Sequence, residues 1–587
     1  MFLITTANQK YWKTDEKILF LGEWCKLPSG KHIWSNLDHE NLLGNWEKCQ
    51  QLDSHRAYLE EIYENHLNIL ASNLNNCHNE DRSIRYWRII TGPWLRTFIE
   101  VVYDRYLSIK SAIDSNKVTS TWIPNLNPEP WVAVNPNTFR LLSIRDNFNL
   151  YLYGRIIKKL GKIPFEFKDD ELFFDPLCIP EIKALALSDN SKNNKRDLVS
   201  KILKLIPDRF RKIVFSSSGL SFENNLKLIF SLGQAPFVSP CITPCRTPIK
   251  KNLRNNIKVP GETNEFESIL NNLLVEQLPK SFLEDYLAIL DQSTEAYPKR
   301  TKVIFTANKM SVCPDEGFRF WVASQVEKGV KLVLAQHGGG YGLFSSFTEK
   351  HELKICDKFF TWGWGAEQPK ILPMASGLLQ SIRPNIRSDP SGAILWVNSV
   401  TKRFVVRFDH IAGGDHGRSV FLQNKSFLNV LCSGACKLVL MRPPNAHYGL
   451  EEDKELKNLY SFLKISRKDS TIKQLKRSRL CVHGYFGTSW LETLSMNFPT
   501  VVFWDPNRVH TLTSVQSYLD DLRRVKILHD TPESAAEFVN EIYEDPLLWW
   551  MSSELQQVKD KFCHLFARTS KNWLKEWKEE LLKMAKI

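Results

Sequence analysis

Long apolar runs are missing from this chain. No stretch approaches the roughly 18 consecutive apolar residues of a spanning helix, so nothing in it reads as crossing a bilayer. The opening, MFLITTANQKYW, lacks the charged region and apolar core of a secretory signal. Paired metal-ligand spacings are missing too. Twelve cysteines are scattered, and Cys241/Cys245 and Cys432/Cys436 have no second pair to complete a zinc site. Reduced thiols in the cytoplasm are therefore expected, with peripheral contact at the inner face of a membrane left open. The Gly-Lys-Ser/Thr ending of a phosphate-binding Walker loop does not occur in the glycine-rich element, and no acidic residue closes a dinucleotide-type βαβ unit. No DxD-like pair stands at a strand end, so neither metal nor bound cofactor is expected.

What is present begins with size and charge. At 587 residues the chain needs two or three cores. Its 78 Lys and Arg outnumber 65 Asp and Glu, a net +13 that suits an anionic partner such as a nucleotide, an acidic membrane surface or nucleic acid.

The most specific stretch is Lys331–Gly342, KLVLAQHGGGYG. Leu332–Ala335 read as a buried parallel strand ending in Gln336 and His337, with Gly338, Gly339 and Gly340 behind them. Glycines at a strand's carboxyl end mark close approach of backbone to a ligand or a neighbour. His337 suits phosphate donation or acid–base work. The competing reading is a tight turn with a structural histidine.

Around this element the pattern alternates strands and helices. Strands are expected at Phe2–Thr5, Ile18–Leu21, Lys212–Ser216, Val303–Phe305 and Phe359–Thr361. Beyond a linker at Ser381–Gly392 a second series follows, at Ala393–Val397, Lys437–Met441, Arg479–Val482 and Thr500–Phe503. The basic aromatic stretch Arg82–Ile113 reads as two helices broken at Gly92-Pro93. The prediction is an α/β, GT-B-like architecture of two Rossmann-like, doubly wound domains facing a cleft. Residues 1–384 form the N-terminal acceptor and catalytic domain, with helical insertions. Residues 385–550 form the nucleotide-sugar domain, and 551–587 a closing amphipathic helix.

Further candidates gather near strand ends. Asp315 and Glu316 precede a helix, where they serve either as base or nucleophile or as helix-capping carboxylates. In HGYFGTSWLETL, His483, Gly487, Thr488, Ser489 and Glu492 sit where a helix start could meet a nucleotide phosphate and ribose. Ser489 and Glu492 also have the spacing of a capping box. Arg442 ends a strand where a phosphate would lie, or forms a buried ion pair, and His447 and Tyr448 follow it. Gln336, Gly338 and Gly339 join this nucleotide-sugar set.

With these motifs in hand, the chain resembles the transferase family of bacterial O-antigen and surface-polysaccharide loci. The resemblance runs nearly end to end: LITTANQKYW, FLGEWC, RYWRIITGPWL, QHGGGYG, TWGW and FGTSWLETL…PTVVFWDP. It implies a metal-independent GT-B-like glycosyltransferase acting on a nucleotide-activated sugar and a glycan or lipid-linked acceptor, in lipopolysaccharide or related synthesis. The QHG element is also similar to that of capsule-type transferases that use CMP-activated 3-deoxy-ulosonic acids. Those enzymes add a His-Pro element where this chain has Arg442-Pro443. Two alternatives remain at this point: a teichoic-type polyol-phosphate transferase with a CDP donor, and a nucleic-acid binder suggested by +13 and the arginine-rich helix. The second is disfavoured, because the basic residues are dispersed and no recognition module is visible.

Overall fold

The computed structural model describes residues 1–46, 52–168, 203, 206–240, 242, 247–308, 310, 315–345, 349–382, 386–398, 402–408, 416–443 and 450–586. Among these, three parallel sheets form the skeleton. The first orders Phe2–Ile4 (β1), Ile18–Phe20 (β2), His39–Asn41 (β3), Ser120–Pro124 (β4) and Phe165–Lys168 (β5) as β3-β2-β1-β4-β5. The second places Ile213–Phe215 (β6), Val303–Thr306 (β7), Lys331–Ala335 (β8), Lys358–Thr361 (β9) and Ile371–Pro373 (β10) in sequence order.

The third comprises Ala393–Val397 (β11), Val439–Arg442 (β12), Lys464–Ile465 (β13), Ser478–His483 (β14), Thr500–Phe503 (β15) and Leu528–His529 (β16). Its order is β13-β12-β11-β14-β15-β16. Winding therefore reverses between β11 and β14, which opens a crevice beyond their carboxyl ends. The expected α/β fold is present, but residues 1–384 carry two parallel sheets where one Rossmann-like unit was predicted. The added strands gave little signal: β3 (HEN) and β5 (FEFK) are half-exposed edges without an apolar run.

Helices Leu52–His78 (α1), Ile84–Asp114 (α2) and Asp146–Leu160 (α3) share one core with the first sheet. α2 starts at Ser83, whose hydroxyl accepts from Tyr86 N–H, and it runs unbroken through Pro93. The break predicted at Gly92-Pro93 does not occur. A Cβ on Gly92 would stand 2.7 Å from both His351 Cε1 and Tyr63 Oη, so this glycine lets the helix pack closely. Near-complete burial of Trp87, Ile90, Trp94, Leu95 and Phe98 outweighs the loss of one intrahelical bond.

The arginines of this region are spent internally. Arg82 pairs with Glu80, Arg85 with Asp357, Arg88 with Glu64, Arg96 with Glu100 and Arg105 with Asp104. No solvated cationic stripe of the kind that binds nucleic acid is left on this helix.

Strands of the second sheet are apolar on both faces. Ile213, Phe215, Val303, Phe305 and Val333 pack beneath Phe222–Ser231 (α4). The alternate residues Val214, Ile304, Leu332 and Leu334 join the core of α2, Tyr286–Ala296 (α5), Glu316–Glu327 (α6) and Glu349–Ile355 (α7).

The third sheet carries His416–Val430 (α8) after β11, Glu452–Leu459 (α9) after β12 and Ser489–Ser495 (α10) after β14. Its lobe is riveted to the N-terminal layer by residues 402–408, where Phe404, Val405, Val406 and Phe408 are buried. Fully buried Arg105 donates to Val405 O, Asn149 Oδ1 and Ser143 O, and Phe408 N–H donates to Glu100.

The closing segment is two helices rather than one. Ser553–Phe566 (α11) packs Phe562 and Phe566 into the third lobe. Trp573–Ala585 (α12) returns to the second sheet, with Trp577 against Phe305 and Phe360. The second and third sheets, each with its helices and joined by a returning C-terminal segment, are a GT-B-like arrangement, with the first sheet as an added N-terminal layer. Among the described residues no helix is long and apolar enough to cross a membrane.

Candidate active site at the glycine turn

The turn after β8 is where the second and third lobes touch. Gly339 N–H donates to Thr488 Oγ1 at 2.9 Å. A Cβ on Gly339 would stand 2.8 Å from Gly487 O and 3.0 Å from Thr488 Cα. Thr488 is the residue before α10, and its hydroxyl serves the opposite lobe instead of its own helix. The predicted capping box of Ser489 and Glu492 is not formed, because Ser489 is already the first helical residue and its hydroxyl is engaged by His483 and Tyr485.

His337 sits at this junction with one ring nitrogen committed. Nδ1 lies 3.1 Å from Ala307 O and 2.8 Å from Tyr341 Oη. Tyr341 gives its own proton to Glu352 Oε2, 2.8 Å away and buried. A carbonyl and an oxygen whose proton is already donated can only accept, so Nδ1 carries the imidazole proton. Nε2 then holds the ring's lone pair. Tyr341 and Glu352 escaped the sequence reading. The signal was the spacing of four residues to Tyr341 and eleven further to an acid in a helix.

The remaining candidates divide between structural and available groups. Gln336 is a lock: its amide donates to Gly338 O, and its Oε1 accepts from Trp362 N–H and Trp364 Nε1. It is not exposed for a nucleotide. Asp315 is the cap of α6, accepting from Phe318 N–H and Tyr297 Oη. His483 is fully buried in a closed chain. Thr493 gives its proton to Trp490 O and so accepts from His483 Nε2. Nδ1 then accepts from Ser489, which accepts in turn from Tyr485. Burial pulls His483 down to about 3, so it stays neutral and, with Ser489, fixes α10 onto β14. Gly487 gives room for the Tyr485 ring, 2.1 Å from its virtual Cβ. His447 and Tyr448 lie outside the described residues.

What is available lies along the carboxyl edge of the third sheet. Arg442 ends β12 and donates to Asp469 O and Gln474 Oε1 through Nη1. The Glu492 carboxyl is half-buried without a hydrogen-bond partner among the described residues, and burial pushes its pKa up. Asn398, directly after β11 and 6% exposed, has both amide atoms buried and, among the described residues, unpaired, as is the indole N–H of Trp396 beside it. Gly484, directly after β14, lets the Asn398 amide approach: its virtual Cβ would be 2.7 Å from Oδ1. Buried amides are nearly always satisfied, so an orphan pair at the winding reversal marks a ligand position. The sequence reading missed Asn398, which stands alone at a strand end.

Residues 1–581 match one family model almost end to end. The chain belongs to the LIC12162 family of transferases. No curated relative matches it. Among solved structures, this transferase is loosely similar to S. aureus MnaA with UDP, at 10% identity and a TM-score of 0.33, covering 54% of this chain and 86% of that one. Neisseria meningitidis UDP-GlcNAc 2-epimerase bound to UDP-GlcNAc gives 10% and 0.34, covering 62% and 90%. WaaG, a glycosyltransferase involved in lipopolysaccharide biosynthesis, gives 11% and 0.26, covering 51% and 95%.

Glu316 needs separate treatment. Burial raises its pKa from 4.5 to about 7, against the opposing pull of Arg319. Its hydroxyl partner Ser281 belongs to the connection before α5 rather than to the glycine turn. A carboxyl that keeps its proton to higher pH when folded makes the folded transferase bind more protons between the two values. Stability then falls as pH rises from 4.5 through about 7. Glu316→Gln, neutral throughout, should remove that loss, so its advantage over wild type should grow to about 3 kcal/mol by pH 8. Denaturant unfolding of both proteins at several pH values checks this; parallel profiles would refute it.

Proposed function

We propose that this transferase moves a sugar from a nucleotide-activated donor onto a surface-glycan acceptor. The observation that carries the reading is the Gly339–Thr488 contact, which brings His337 of one lobe to the carboxyl edge of the other. The donor's nucleotide lies along that edge, with Asn398 and Glu492 meeting base or ribose and Arg442 meeting phosphate. The acceptor hydroxyl attacks the anomeric carbon as the bond from that carbon to phosphate oxygen breaks. The nucleotide leaves with the electron pair, and the acceptor proton passes to His337 Nε2. Arg442 takes up charge on the leaving phosphate. The CMP-linked 3-deoxy-ulosonic acids suggested by the QHG element are one donor class within this proposal.

Thermal unfolding with CMP, CDP, UDP, GDP and dTDP, each with and without magnesium, tests the donor site. A ligand at 100 times its dissociation constant adds about 2.7 kcal/mol. One nucleotide is expected to stabilise the protein, without needing magnesium, and to lose its effect in Asn398→Ala and Glu492→Ala. No response to any nucleotide would sink the proposal. A phosphodiester in the product would replace glycosyl transfer by polyol-phosphate transfer.

A further inference from the structure

A second cleft lies away from the glycine turn, between the carboxyl end of β2 and the helices α8 and α9 that follow β11 and β12. It encloses about 560 Å³, within the range of small-ligand sites. Trp24, Trp34 and Phe421 supply its aromatic surface, and Arg403, Arg418 and Glu452 are among its polar groups. Arg403, from the segment 402–408 that joins the lobes, forms part of its wall.

Its polar groups are held ready rather than consumed. Arg403 is 6% exposed and fixed to Asp146, yet its Nε is buried without a partner. Exposed Arg418 makes no ion pair of hydrogen-bonding distance among the described residues, lies over the Phe421 ring and acts on the Glu452 charge. Glu452 has no hydrogen-bond partner among the described residues. Burial, reinforced by Glu455 and Asp453, pushes it up to about 7, so near neutral pH it can donate as well as accept. Basic and acidic side chains are nearly balanced along the walls, five against four, which does not suit a polyphosphate. Flat aromatic surfaces pack against the C–H faces of sugar rings. Groups that both donate and accept match ring hydroxyls.

We propose that this cleft binds the acceptor glycan as a short oligosaccharide segment lying against half-buried Trp34, with Arg418 and Glu452 as its polar partners. Its identity as acceptor rests on the glycosyl-transfer reading; its capacity to hold a glycan does not. α8 and α9 follow β11 and β12, the strands that end beside Asn398 and at Arg442, so the cleft and the donor crevice belong to one lobe.

The test applies the full-length protein to an array of immobilised bacterial surface oligosaccharides. Wild type, Trp34→Ala, Arg418→Ala and Glu452→Gln are compared, and nucleotide-induced thermal shifts are recorded in parallel. Wild type should retain at least one glycan, and each variant should weaken it at least tenfold while keeping the nucleotide shift. Arg418 is exposed, so its variant stays informative if Trp34→Ala misfolds. Absence of glycan retention, or retention unchanged in both Arg418→Ala and Glu452→Gln, would overturn the cleft. Glycan loss in the variants with no nucleotide shift in any protein would leave the cleft standing and remove the donor reading.

Discussion

Gly339→Ala should cost about 3 kcal/mol of stability and roughly 100-fold in turnover, whereas Gly338→Ala, one residue away, should do little. Neither glycine has a positive φ, so conformational freedom does not separate them. Space does. On Gly338 a new Cβ meets only Thr488 Oγ1, at 3.5 Å, an ordinary contact. On Gly339 it meets Gly487 O at 2.8 Å, Leu491 Cδ1 at 2.9 Å and Thr488 Cα at 3.0 Å. Two of these are backbone atoms of the opposing lobe and cannot rotate away. The turn must retreat, which breaks the bond from Gly339 N–H to Thr488 Oγ1 and carries His337 off the edge of the third sheet. A shift of about 1 Å in a reacting group is enough for the predicted loss. Thermal unfolding and turnover measured side by side decide the matter. If Gly339→Ala behaves like Gly338→Ala, the two lobes do not depend on this contact.

This junction also shows how far the sequence could be read. β8, its glycines and the four central third-sheet strands β11, β12, β14 and β15 were legible, because each combines a short apolar run with polar or glycine residues at its carboxyl end, whereas the two-residue edge strands β13 and β16 were not. The closeness required at Gly339 was legible as well, though not what approaches it. Partners distant in sequence were not. Gln336 looked available until Trp362 and Trp364 enclosed it, and Ser489 looked like a cap until His483 claimed its hydroxyl. Asp315 proved to be the cap that its position already allowed. At Pro93 local propensity pointed to a break, and tertiary burial of α2 prevailed. Asn398 carries no local signal at all; only its unpaired amide within the folded sheet singles it out.

His337→Ala should lower turnover by roughly 10² to 10⁴, the range of a positioned acid–base group. The nucleotide-induced thermal shift should persist, because the donor edge belongs to the other lobe. The neighbouring hydrogen bonds sharpen the expectation. Glu352 takes the proton of Tyr341, so the phenolic oxygen accepts from His337 Nδ1 and helps hold the ring. In Tyr341→Phe turnover should drop roughly tenfold as the ring loses one of its anchors. Ala307 O still fixes the tautomer in that variant, so the smaller loss distinguishes positioning by Tyr341 from proton transfer by His337. Turnover unchanged in Tyr341→Phe would detach Tyr341 and Glu352 from the chemistry. A His337→Ala protein retaining more than a tenth of wild-type turnover would exclude His337 as the base and move the search to the unpaired carboxyl of Glu492.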